Sequence, residues 1–342
     1  LRDARTLSLL AHPAPEAAEM HPVLRTTLQR LGLGVLTLFV VSLIVFFSVE
    51  LLPGSFAQAI LGQSATPETV RAFNEELGLD RPAPVRYLVW LEGIAHGDFG
   101  YSYAGGTSET RRKVADLVLP RLYNTLFLAG LAAIFAVPFS LLLGIAAALF
   151  RDSWFDRTVN TLGLIAVALP DFLIAYGLIF VFAITLHWLP VLSMDDETSG
   201  FLGNVAGTVL PALSLALGIV AHMMRMTRTA LVNLLATSYV EMAELKGLSR
   251  ARIMVRHVLP NAWAPIATVV ASNLAYLVVS VVVVEVVFAY PGIGQLMVDA
   301  VSSRDFPTIQ ACTIIFAATY ILLNLAADVV AIATNPKLLH PR

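Results

Sequence analysis

The sequence predicts an all-α membrane protein with six transmembrane helices, and three observations lead there. Of its 342 residues, 57% are hydrophobic and only 13% charged, about half the charged share of a soluble domain. The apolar residues gather in charge-free runs of about 18 or more, the length that crosses hydrocarbon. These runs are continuously apolar and do not alternate, so helices rather than barrel strands satisfy the backbone in lipid. The net charge of −2 decides little, because in such a chain the sidedness of Lys and Arg matters more than their sum.

Residues 1–24 are rich in alanine, proline and charge, lack the unbroken apolar core of a cleavable signal peptide, and are expected to be disordered. Met20 is followed by a basic lead-in from Arg25 to Arg30, so a start at Met20 and a genuine soluble extension both stay open. Leu31 to Val49 is free of charge and at about 1.5 Å per residue reaches about 28 Å, a first span. Residues 53–120 then form an extracytoplasmic segment with structure of its own. Thr66 can cap a helix opening at Pro67, with Glu68 favoured by the dipole and Gly78 as its stop. A second short helix from Pro84 to His96 puts Tyr87, Trp90 and Leu91 on one face. A cap on the membrane surface and a docking surface for an extracytoplasmic partner are both open readings of this segment.

The second span is Leu122 to Phe150, flanked by Arg121 and Arg151, with Pro138 placed to bend it. The third, Thr158 to Trp188, holds one charge, Asp171, directly after Pro170, and is expected to be a broken or kinked helix. Val205 to Met224, Ile266 to Val284 and Thr308 to Ala327 complete the six. Arg25, Arg30, Arg151, Arg157, Arg225, Arg228, Lys246, Arg250, Arg252, Arg256, Lys337 and Arg342 then fall on one side, whereas the short connections opposite hold only Arg304. By the positive-inside rule both termini are cytoplasmic, and the long 53–120 segment crosses largely regardless of its charge.

Residues 225–261 form a polar stretch long enough to fold below the membrane. Ser238-Tyr239-Val240-Glu241 reads as a capping box, the serine hydroxyl accepting from the Glu241 backbone and the glutamate reaching back. Gly247 supplies the left-handed position that ends this helix, and Ser249 can cap a second one, running through His257 and broken at Pro260. The basic residues here are also what a plain inside-loop anchor would carry.

Glu241-Met242-Ala243, Gly247 and His257-Val258-Leu259-Pro260 resemble, gap for gap, the signature of permease subunits of bacterial ATP-binding-cassette importers: Glu-Ala-Ala, three residues, Gly, nine residues, Ile, any residue, Leu-Pro. Met242 and His257 depart from the usual alanine and isoleucine, which touches fine packing more than role. Leu77 to Pro82, Gly97 to Ser102, Arg225 with Arg228, Glu285 with Phe288, Tyr290 to Gly294, Arg304 to Pro307 and Asn335-Pro336 are similar to the dipeptide and oligopeptide branch. The resemblance implies a MetI-like permease domain over 25–336 with a short cytoplasmic tail, 337–342, in a bacterial inner membrane. It implies half of a translocation path for di- or oligopeptides, or on the same machinery for nickel chelates or oligosaccharides. It also implies a second homologous permease, two cytoplasmic ATPases that bind ATP and Mg, and an extracytoplasmic substrate-binding protein. Ser238, Glu241, Ala243, Lys246, Gly247, Leu248, Leu259 and Pro260 would then couple the ATPase to the membrane helices.

Asp171 after Pro170, and Glu285 and Asp328 near helix ends, are carboxylates at membrane depth, where pairing or a water-filled path is required. Each could line the substrate path: the break at Pro170 and Asp171 would expose backbone polar groups where a solute passes, whereas for Glu285 and Asp328 pairing with neighbouring chains is the simpler expectation. Asn273, Tyr276 and Ser280 share one helical face, a path lining or, more simply, a helix-packing seam. His187 and His222 lack a second ligand at helical spacing, so no metal site is expected. One cysteine, Cys312, allows no intrachain disulfide. No phosphate loop, zinc motif or nucleophile elbow occurs, so no catalytic residue is assigned and nucleic acid is not an expected partner. The rivals are a secondary transporter, which calls for an inverted repeat that is not visible, and an intramembrane enzyme, which calls for a buried nucleophile and base.

Overall fold

The computed structural model describes residues 22–50, 65–76, 81–104, 111–191 and 200–333. The helices are α1 (Pro22–Glu50), α2 (Pro67–Glu76), α3 (Ala83–Ala95), α4 (Val114–Leu149), α5 (Trp154–Ala168), α6 (Asp171–Leu178), α7 (Gly200–Leu235), α8 (Ser238–Leu245), α9 (Arg250–Ile253), α10 (Leu259–Val287), α11 (Ile293–Ser303) and α12 (Phe306–Ala333). Two wide π turns, Ile179–Thr185 and Met254–Val258, continue α6 and join α9 to α10. Among the described residues the only extended pairing is an isolated bridge between Tyr101 and Lys113. The expectations on residues 1–21, Leu77 to Asp80, Asn335-Pro336 and the tail lie outside the described residues.

Among the described residues five stretches are long and apolar enough to cross a membrane, and one helix pair, Trp154–Ala168 with Asp171–Thr185, bent by 108°, makes a sixth when taken as one span. The break falls where the third span was expected to fail. Leu169 and Pro170 both take extended backbone, because a residue before proline is pushed out of the helical region. The spans outrun the charge-free runs: α4 begins at Val114, before Arg121, and α7 continues to Leu235, past Arg225 and Arg228. Charge ends the hydrocarbon crossing and not the helix. α4 also runs on through Pro120 and Pro138.

α7 stands at the centre, packed against α4, α10, α5 and α6. Two glycines let helices close on it: a Cβ on Gly144 would sit 2.9 Å from the Met224 carbonyl oxygen, and one on Gly163 2.9 Å from the Met224 side chain, the small-residue packing that apolar helices use in lipid. Leu128, Leu210, Ile219, Met223, Leu277, Val281 and Phe288 fill the core around it. α1 and α12 pack on each other at the side with apolar exteriors.

α2 opens as expected, with the Thr69 N–H donating to Thr66 Oγ1 and the Thr66 N–H to Thr69 Oγ1, at 3.2 and 2.9 Å. α3 lays Tyr87 and Trp90 on α1, where Tyr87 is buried, its hydroxyl 2.8 Å from Ser42 Oγ, among Phe39, Phe46 and Phe47. Val85, Leu88 and Val89 point away from that contact and are exposed.

Candidate functional site

The Ser238–Pro260 segment packs against the ends of α4 and α7, its buried residues clustering with Ala148 and Leu231 and with partly buried Leu149 and Leu235. Thr237, in extended backbone (φ −86°, ψ 151°), holds the cap position of α8 and Ser238 is its first helical residue. The expected capping box is therefore not formed. The Thr237 hydroxyl turns back to the Leu234 carbonyl, so the chain leaving α7 takes the cap position one residue earlier than the Ser-x-x-Glu spacing suggested.

The other end of α8 follows its sequence. Gly247 has φ +79°, its N–H donates to Glu244 O at 2.9 Å, and the Leu248 N–H donates to Ala243 O at 3.3 Å. This pair of bonds is a Schellman closure, which needs a left-handed residue at Gly247. Ser249 sits at the cap of α9 without a side-chain cap bond. The break expected at Pro260 is absent. The π turn places the Leu259 N–H on the Met254 carbonyl, and the widened turn accommodates a proline in the first turn of α10 that would otherwise clash and lack a donor.

Val240, Ala243, Ile253, Met254, Val258, Ala262 and Ile266 are buried against Ala148 of α4 and Leu231 of α7, with Leu248 and Leu259 packed on them. The segment is thereby welded to three membrane helices. Its opposite face shows Tyr239, Met242 and Leu245, the last 77% exposed, beside exposed Glu241, Glu244, Lys246 and Gly247. Met242, one of the two departures from the signature, thus lies on the outward face and does not disturb the packing. Tyr239 and Leu245 had not been singled out, although the spacing 239, 242, 245 opposite Val240 and Ala243 marks a second apolar stripe on α8.

Above this block, Arg228 of α7 grips Asp156 of α5 with two parallel bonds of 2.6 Å, Nε to Oδ1 and Nη2 to Oδ2. Asp156 also accepts from the Asp152 N–H and from Asn160 Nδ2. Sequence reading noted Arg228 but missed Asp156. The available signal was Ser153, whose hydroxyl accepts from the Asp156 N–H and caps α5.

Two of the three carboxylates expected at membrane depth, Asp328 and Glu285, find partners in their own chain and not in a neighbouring one. Arg30 Nε lies 3.3 Å from Asp328 Oδ2. Glu285 faces no open space. It is fully buried, Thr125 Oγ1 donates to its Oε1 at 2.6 Å, and the Gly294 and Gln295 N–H groups donate to its Oε2. The Ile293 N–H donates to Thr125 in turn. Gly292 and Gly294 have no room for a Cβ because the Glu285 carboxylate fills that space, which explains the two glycines of Tyr290–Gly294. Beside this turn, Asp305 at the head of α12 accepts from Ser102, from the Tyr103 N–H and from Thr308, so the Gly97–Ser102 and Arg304–Pro307 stretches meet.

Asp171 and Pro170 begin α6, with Asp171 Oδ1 3.5 Å from where a Gly218 Cβ would stand. Asn273 and Ser280 are buried whereas Tyr276 is exposed, so the expected common face divides into a seam and an open flank. His222 of α7 meets Asn273 across that seam, Nδ1 to Oδ1 at 3.2 Å.

The chain matches the family model described as "Binding-protein-dependent transport system inner membrane component" over residues 140–340. A companion model, "Binding-prot-dependent transport system membrane comp, N-term", matches residues 23–129. It is 36% identical over 300 residues to the glutathione transport system permease protein GsiC of Shigella flexneri serotype 5b, covering 88% of this chain and 94% of that one. Its likeness to GsiC of Salmonella choleraesuis is 36% over 315 residues, covering 92% and 98%. Among solved structures it resembles the inward-facing MetNI methionine ABC transporter with a TM-score of 0.52 at 17% identity, covering 64% of this chain and 96% of that chain, a likeness of fold.

Proposed function

This chain belongs to the family of binding-protein-dependent transport system inner membrane components, multi-pass permease subunits of ABC importers that are not themselves enzymes, and we propose that it carries small peptides with Ser238–Pro260 as its power-coupling lever. The observation that supports the lever is its two-faced construction. One face is buried against α4, α7 and α10, and the other leaves Tyr239, Met242 and Leu245 exposed among the described residues. A push on the outer face passes into three membrane helices, because a closely packed interior transmits displacement.

In this reading the outer face sits on a cytoplasmic ATPase, one of two that bind ATP and Mg. A second, homologous permease completes the path, and an extracytoplasmic binding protein delivers the cargo. The Lys and Arg distribution supports cytoplasmic termini. The peptide cargo is supported by relatives named for glutathione transport.

The test is purification of the tagged chain from its native membrane, with uptake and ATP hydrolysis measured beside it. Recovery of two ATPases and a second permease is expected. A Cβ added at Gly247 meets no atom within 4 Å, so the penalty of Gly247→Val is set by the backbone, about 1–2 kcal/mol at the left-handed position. It should leave insertion intact while uptake is lost and hydrolysis no longer responds to loaded binding protein. Normal uptake by that variant would refute the lever.

A further inference from the structure

We propose that His222 touches the passing solute, its Nε2 accepting a hydrogen bond from the N–H groups of a peptide moving along the exposed face where α7 meets α10. This rests on the reading of the chain as a peptide-importer permease.

His222 lies in the fourth apolar run, one turn before Arg225, and faces Asn273, which lies well inside the fifth run, Ile266 to Val284; it is exposed, although its neighbours Ala221, Met223 and Met224 are buried. Its ring is held in one orientation. Asn273 is 5% exposed and donates through Nδ2 to the Val269 carbonyl at 2.7 Å, which leaves its Oδ1 facing His222 Nδ1. Oδ1 can only accept, so Nδ1 carries the proton. In the neutral ring Nε2 is then the atom with the free lone pair.

The surroundings of His222 are polar where a lipid-facing surface would be apolar. Along α10 the residues Thr268, Ser272 and Tyr276 are exposed at helical spacing, and along α7 Thr229 follows His222 and Met226. One turn before His222, at Gly218, lies the carboxylate of Asp171. Past Tyr276 the same flank of α10 changes to exposed Val279, Val283 and Val286. The polar half therefore runs from mid-membrane toward the end bearing the Ser238–Pro260 segment. An exposed histidine with a half-buried carboxylate close by is costly against acyl chains and is characteristic of a water-filled cavity. An acceptor nitrogen with a carboxylate close by suits the ammonium and amide N–H groups of a peptide.

Two experiments on the intact transporter in membranes decide it. Cys312 is the only cysteine and is buried; in a Cys312→Ala background, Ser272→Cys should react with a charged, membrane-impermeant thiol reagent. No reaction means that lipid or another subunit covers this face, and the proposal falls. Second, His222→Leu should lower peptide uptake on the order of tenfold, the worth of one hydrogen bond. His222→Gln, which keeps an acceptor, should restore much of it, with hydrolysis stimulated by binding protein retained in both. Wild-type uptake by His222→Leu overturns the proposal while leaving the importer reading intact. That reading fails separately, if no ATPase co-purifies with the unaltered chain.

Discussion

Replacing Asp156 by alanine tests whether α5 is bolted to α7 through a single ion pair. The pair is bidentate at 2.6 Å, with the carboxylate side chain 3% and the guanidinium 22% exposed. Removing one member of a buried pair costs roughly 3–5 kcal/mol, mostly because the other charge is left in a poorly solvated place. Arg228 keeps some access to water, so we expect about 2–4 kcal/mol for Asp156→Ala. Arg228→Ala should cost less, about 2 kcal/mol, since Asp156 would still accept from the Asp152 N–H and from Asn160. The double variant should be more stable than the sum of the two losses implies, with a coupling of about 2 kcal/mol. Denaturant unfolding of the four proteins in detergent micelles gives these values. Losses that add within about 0.5 kcal/mol would refute the bolt, because additivity is the behaviour of independent sites.

Gly292→Ala should destabilise the Tyr290–Gln295 turn by about 2–4 kcal/mol, since its Cβ falls on the Glu285 carboxylate and would displace the bonds to Gly294 and Gln295. Membrane yield and protease resistance measure it, and a variant as stable as the parent would count against the buried clamp. Tyr87→Phe keeps the ring stack and removes only the bond to Ser42, an expected loss of about 0.5–1.5 kcal/mol. It should appear as faster amide exchange within Ala83–Ala95 and leave α7 unchanged; unaltered exchange in α3 would show that the aromatic contacts suffice.

What could be read in advance was local. The six apolar runs, the break at Pro170, the Thr66 cap and the left-handed stop at Gly247 each follow from a few neighbouring residues, and the structure shows each of them. The failures were also local readings, overruled by their surroundings. Ser238 has the spacing of a capping box, but the exit from α7 places Thr237 in the cap position. Pro260 looks like a break, but a π turn absorbs it.

The sequence by itself therefore determined an all-helical, membrane-crossing chain with a two-helix segment between its fourth and fifth spans, because hydrophobic length, proline and glycine act within a few residues of themselves. Only the tertiary structure decided that Met242 points outward while Ala243 is buried, that Asp156 belongs to Arg228, and that Ser102 and Asp305, 203 residues apart, share a hydrogen bond. It also decided that Glu285 is sealed by Thr125 and two backbone N–H groups while His222 stays open. Burial and pairing are properties of whichever helix stands alongside, and that neighbour is chosen by packing over the whole bundle.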